Sequence, residues 1–196
     1  MSVLAVIFLV CISLAGIYIQ TLTRQRTEAA VKELDKKIAD ELKQQNAEPT
    51  VKQWTKYRNN TFHFQMDIPE GWAVKEYPPD LQFGQESTLI AFSGDKPLPN
   101  ERYIGLENAH TYVVAFPTTA TRDYSLFQRR ISQIGQDNFS AGTLGGISGV
   151  DNGIDISVEQ GGYVYEFFMK LQVDEKYNYT PSPLSRRMKE SFRFTQ

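Results

Sequence analysis

The chain has 196 residues, 41% of them hydrophobic and 22% charged, with a net charge of -2 and a pI near 5.8. That length holds one domain of about 150 residues with a proper core plus a short extra segment, and the composition excludes a wholly disordered chain. The near-neutral balance gives nucleic acid no electrostatic footing, and the single cysteine, Cys11, leaves the rest of the chain without a disulfide, a thiolate nucleophile or a cysteine metal site.

Val3 to Ile19 reads VLAVIFLVCISLAGIYI, and no charge precedes Arg24. About 20 apolar residues cross a bilayer core, so residues 1–23 are expected to form a transmembrane anchor in contact with the lipid bilayer. Tyr18 suits the interface, and Arg24 and Arg26 suit the headgroups. A cleaved signal peptide is an alternative, with small residues in Ser13-Leu14-Ala15, but no Lys or Arg opens the run. Acylation at Cys11 is disfavoured by the bulk of Val10 before it. The basic residues lie only after the run, which taken alone places the domain in the cytoplasm.

Residues 24–48 read as a charged helical stalk. Val31, Leu34, Ile38 and Leu42 form one apolar stripe, and Glu28–Lys32 and Glu33–Lys37 are favourable i,i+4 pairs. Asn46 and Pro49 end the helix. The stripe serves a coiled coil giving a weak homodimer, or a monomeric spacer; about two heptads leave both open.

Residues 49–196 read as the soluble domain. Phe62, Phe64, Met66 and Ile68 alternate with His63, Gln65 and Asp67, and Pro69-Glu70-Gly71 turns the chain into a strand opened by Trp72, an expected core anchor. Thr88 to Phe92 and Tyr112 to Phe116 suit central strands. Ser125 to Gln128 resembles a capping box opening a helix with Phe127, Ile131 and Ile134 inward and Gly135 at its end. Ile154, Ile156 and Val158 alternate with Asp155, Ser157 and Glu159. Gly161-Gly162 then turns into a long strand with Tyr163, Tyr165, Phe167, Met169, Leu171 and Val173 on one face. Ser182 and Pro183 start a last helix with Leu184 and Met188 inward, and Phe192 and Phe194 close the chain as a short strand. Hairpin-connected strands with interspersed helices predict an α+β fold, a largely antiparallel sheet sandwiched with helices.

Three segments carry a family resemblance. Tyr57-Arg58-Asn59 leads through Phe62-His63-Phe64 to Ile68-Pro69-Glu70-Gly71-Trp72; Leu144-Gly145-Gly146-Ile147-Ser148-Gly149 precedes a long hairpin; Ser182-Pro183-Leu184 opens a helix ending in Ser191-Phe192-Arg193-Phe194. In this order they resemble the PsbP-like α/β/α sandwich family, above all its membrane-tethered or secreted bacterial members. The resemblance implies a binding or assembly module outside the cytoplasm. Its photosynthetic members are extrinsic, non-catalytic proteins supporting photosystem II. No metal or contact residue of the family maps onto a position here.

The chemistry is sparse. His63 belongs to an outward face, and His110 has no motif around it. No HExxH spacing occurs, and Gly146-Ile147-Ser148-Gly149 lacks the nucleophile-elbow spacing. Gly142, Gly145, Gly146 and Gly149 suit turns and close packing better than a phosphate loop, since no Lys-Ser or Lys-Thr follows. Asp151-Asn152-Gly153-Ile154-Asp155 carries a weak calcium signal without a closing Glu, and Asn-Gly is the usual hairpin turn. The sequons at Asn59, Asn138 and Asn178 matter only in a eukaryotic secretory pathway, and the resemblance points to bacteria.

No catalytic, cofactor-binding or metal residue is therefore assigned. The expected function is a membrane-tethered, non-enzymatic binding module whose partner is another membrane or extracytoplasmic protein. The alternative is a carboxylate-dependent hydrolase or lyase using Asp67 and Glu70.

Overall fold

The computed structural model describes residues 27–28, 30–44, 46–81, 86–94, 96–102, 108–136, 138–174, 176 and 178–195. The expected anchor, residues 1–23, lies outside them. Among the described residues no helix is long and apolar enough to cross a membrane. The chain divides into two compact units, Met1–Ala47 and Glu48–Gln196.

In the first unit, residues 27–28 and 30–44 are helical and are labelled α1. Its helix formers are reinforced by a Glu33–Lys37 pair at 3.1 Å. Val31 and Leu34 of its stripe stand exposed.

The second unit is an α+β sandwich. Its strands are β1 (Trp54–Asn59), β2 (Phe64–Pro69), β3 (Ala73–Tyr77), β4 (Thr88–Ser93) and β5 (Thr111–Pro117). After α2 (Thr121–Ser132) come β6 (Ser140–Leu144), β7 (Ile147–Asp151), β8 (Asp155–Gln160), β9 (Tyr163–Met169), β10 (Leu171–Val173) and β11 (Tyr179–Pro181). The chain then forms α3 (Pro183–Ser191) and β12 (Arg193–Phe194). Seven strands make one antiparallel sheet in the order β3-β4-β5-β9-β8-β7-β6. A smaller sheet, β1-β2-β12, joins α3 over one face: Phe64, Met66, Ile68, Met188 and Phe192 pack there against Ile90, Phe92, Val113, Ile156 and Phe167. On the opposite face, α2 seats Phe127 against Phe116, Val150 and Val164. Because both faces are covered, β4 is buried throughout and β5 reads as an apolar run.

The structure corrects several local expectations. The helix α2 opens at Thr121, four residues before the apparent capping box. Ala120 makes no side-chain cap, and the Ser125 hydroxyl instead donates back to the Thr121 carbonyl at 2.6 Å. Ile131 and Ile134 are exposed, because Phe127 and Arg130 rather than the isoleucines face the sheet. Ile154 lies exposed beside the Asn152-Gly153 turn. The long strand breaks at Lys170, whose N–H donates to Ser185 Oγ at 3.1 Å and whose carbonyl accepts from Ser182 N–H at 2.8 Å. Both ladder groups are thus diverted to the start of α3, and the chain leaves the main sheet to pair β10 with β11. Trp72 precedes β3 and is half-buried, flanking the core and meeting the His110 ring edge-on at 5.0 Å.

Other expectations are met. Ser182 caps α3 by accepting from Ser185 N–H at 3.1 Å, with Pro183 at the first turn. Gly145 and Gly146 take φ of 60° and 86° in the β6–β7 turn. Gly149 lets β7 pass close to β8, since a Cβ there would collide with the Ser157 carbonyl oxygen.

Candidate functional site

The burial of both sheet faces creates the most unusual electrostatic feature of the domain. Asp155 and Ser157 alternate with Ile156, and Glu166 alternates with Tyr165 and Phe167; on a one-sided sheet they would face water. Here they lie beneath α2, and Arg130 reaches down from the helix between them. Its Nη1 donates to Asp155 Oδ2 and to Glu166 Oε1, each at 2.9 Å. Ser157 Oγ donates to Asp155 Oδ2 at 3.2 Å. The Asp155 and Glu166 side chains are 3% and 15% exposed, against 30% for Arg130. Burial pushes the Glu166 carboxyl up to about 7; the Arg130 charge opposes the shift and the Asp155 charge reinforces it. Tyr112 is pushed up to about 12, mainly by burial and further by the negative charges of Asp155 and Glu166. Its ring stacks on Phe168 at 4.5 Å. A single cation therefore serves two buried carboxylates, and a proton can rest on Glu166 near neutral pH.

A cleft of about 470 Å³ opens beside this cluster, lined by Tyr124, Phe127, Gln128, Ile131 and Ser132 of α2, with Ser148 and Glu159 of the sheet. Tyr124 donates to Glu159 at 3.0 Å across it. None of the clustered residues Arg130, Asp155 and Glu166 lines the cleft.

Comparison with family profiles, with curated proteins and with solved structures finds no match in any of the three. The functional reading therefore rests on the chain itself.

The residues singled out in the sequence fall in separate places. His63 is exposed at φ 51°, on the rim of a smaller cavity with Tyr163, Tyr165, Phe194 and Thr195. His110 is buried. Its Nε2 lies 3.2 Å from Ser182 Oγ and 3.9 Å from Glu48 Oε1. Ser182 donates to Ser185, whose Oγ lies 2.7 Å from Thr111 Oγ1. Serine, histidine and glutamate thus meet, but not as a relay: the serine and the carboxylate approach the same ring nitrogen, and Ser182 is fully buried as a helix cap. This network joins β5, α3 and the sheet break at Lys170.

Asp67 and Glu70 do not converge on a cleft. Asp67 faces Lys56 at 4.0 Å on the outer side of the small sheet, and Glu70 is exposed at the turn. In the Asp151–Asp155 turn the oxygens are engaged within the protein. Asp151 accepts from Gly153 N–H and approaches Lys189, Asn152 accepts from Ile154 and Asp155 N–H, and the Asp155 carboxylate points to Arg130. Among the described residues no three His, Cys, Asp or Glu side chains converge as metal ligands.

The Arg130 cluster is not legible in the sequence because its members lie on three elements. The available signal was an acidic residue in each of two strands rich in buried aromatics and β-branched residues, and one Arg on the inward side of the helix before them.

Proposed function

We propose that the chain is a membrane-tethered, non-enzymatic binding or assembly module of the PsbP-like kind. In this reading the N-terminal apolar run anchors it in the bilayer and the sandwich domain lies outside the cytoplasm. The observation that carries the binding role is the separation of chemistry from access. The charged groups under α2 are spent on one another, while the neighbouring cleft is open and edged by the exposed side chain of Ile131. Internally paired charges hold a scaffold, and a surface with apolar lining holds a partner. The resemblance in the three quoted segments supports placement outside the cytoplasm; the basic residues after the apolar run argue against it.

Crosslinking in intact membranes, followed by purification of the full chain, should recover a discrete covalent complex. Recovery of the uncrosslinked chain alone would sink the binding role. Protease added to intact spheroplasts should digest the domain; protection until lysis would invert the topology.

A second reading has one observation in its favour. Glu166 at about 7 beside Asp155 has the protonation behaviour of a general acid or base. A carboxylate-dependent hydrolase or lyase would then work from beneath α2, with Arg130 withdrawn. Turnover of an ester or glycoside panel, abolished in Glu166→Gln, would establish it.

A further inference from the structure

We propose that β6 is a docking edge that accepts an extended peptide segment of a partner protein, one carrying a long apolar side chain at alternate positions. The inference deepens the binding-module reading and rests on it.

The two edges of the seven-stranded sheet are β3 and β6. The β3 edge carries Lys75 and Glu76, and both are engaged: Lys75 with Asn100, Glu76 with Tyr57 and Asn59. Charged residues on an edge discourage further pairing. β6 reads Ser-Ala-Gly-Thr-Leu. It has no charge, no proline and no bulge, for its register with β7 runs unbroken from Ser140↔Asp151 to Leu144↔Ile147.

The hairpin geometry tells which groups are open. A two-residue turn, Gly145-Gly146, makes Leu144 and Ile147 a hydrogen-bonded pair. Bonding alternates along the strand, so Gly142 and Ser140 also bond to β7, while the N–H and carbonyl groups of Ala141 and Thr143 point away from the sheet. No helix, strand or side chain among the described residues pairs with them. A row of alternating N–H and C=O groups at strand spacing is matched by one kind of ligand, another extended backbone.

The side chains add specificity. Ala141 and Thr143 pair with Val150 and Ser148, on the α2 side of the sheet. They are small and exposed. A residue of an added strand in register with them projects to the same side, and a long side chain passes over them toward Ser148, Ile131 and Ser132 in the cleft. A second copy of this chain fits less well: on the α2 side, β6 paired with β6 would bring only Ala141 and Thr143 together and leave the cleft unfilled. Main-chain bonds along β6 and one pocket beside it are the two elements of strand-addition recognition.

The test uses the full chain in lipid nanodiscs and synthetic peptides in which Leu or Phe alternates with Thr. Fluorescence polarisation reads binding, and amide hydrogen exchange reads its location. We expect binding that slows exchange at Ala141 and Thr143. Peptides N-methylated on the amides facing β6 should bind at least about tenfold more weakly, since each loses main-chain hydrogen bonds. Ala141→Pro, tolerated at an edge whose N–H is free, and Thr143→Lys, which keeps the ladder and places a charge on the way to the cleft, should each weaken binding likewise. Circular dichroism checks that both remain folded. Binding that protects other amides, or is indifferent to both variants, overturns the proposal, as does absence of binding across the set. A dimer that Ala141→Pro dissolves, without peptide binding, assigns the edge to a second copy and also overturns it. The membrane crosslinking assay separates the two levels. A complex retained in both variants leaves the module reading standing and removes the edge, whereas no complex with the natural chain removes the module reading itself.

Discussion

The Arg130 guanidinium meets the Glu166 carboxylate at 2.9 Å, and the same nitrogen holds Asp155 at the same distance. One helix is therefore attached to the sheet through a cation shared by two acids on neighbouring strands. Phe127 is its only buried residue.

Removing that cation should be costly. Arg130→Ala leaves two buried carboxylates facing each other without compensation, and we expect a loss of about 3–5 kcal/mol in urea unfolding. Adding Glu166→Gln should restore part of it, because one of the two charges then disappears. A loss below about 1 kcal/mol would show that the pairs contribute little to holding α2.

The pH dependence has a definite sign. Glu166 is raised from 4.5 to about 7 in the folded domain. Stability from this group is fully present below about pH 4.5, where both states are protonated, and falls as pH rises through about 7. The domain should thus lose up to about 3 kcal/mol from this group between pH 4.5 and 8. Glu166→Gln should flatten that part of the curve. An unchanged slope in the variant would assign the effect to other groups.

Gly94 tests the seat of Trp72. A Cβ on Gly94 would run into the indole, so Gly94→Ala must push Trp72 from its place against His110. We expect about 1–3 kcal/mol of destabilisation and a shift in tryptophan fluorescence. Trp72→Ala should cost a similar amount, below the full price of a core aromatic, because the ring is half-buried. Thermal melts in which Gly94→Ala matches the natural chain would show that the indole moves freely.

The start of the domain offers a sharper boundary experiment. Glu48 Oε1 accepts from Leu184 N–H at 3.4 Å at the N-terminus of α3, close to His110. A fragment beginning at Glu48 should be folded, and one beginning at Thr50 should be less stable by about 0.5–2 kcal/mol, having lost a carboxylate from a helix N-terminus. Equal melting temperatures would make the Glu48 contact incidental.

What could be read from the sequence was local. The Phe64–Met66–Ile68 alternation, the Gly161-Gly162 turn and the Ser182-Pro183 cap each depend on neighbours a few residues away. Misreadings arose where distant groups intervened. Ser125 imitated a cap while bonding back to Thr121, and nothing near Lys170 announces that Ser182 and Ser185 will capture its N–H and carbonyl. Hydrophobicity alone puts the α2 stripe on Phe127, Ile131 and Ile134, whereas the side chain that reaches the sheet beyond Phe127 is an arginine. The cleft was illegible because its walls come from α2, β7 and β8.

The strand order carries a consequence for how the chain can assemble. β3 to β5 and β6 to β9 are two meanders, each built from successive hairpins, and they are joined only where β9 lies against β5. Phe192 and Phe194 then close the core from the segment that follows α3, stacking and packing edge-on against Phe64, Tyr165 and Phe167. During synthesis the two meanders can form in turn, but their joint interior stays open until α3 and β12 have emerged. A nascent chain stalled before Phe192 would hold its strands without a finished centre.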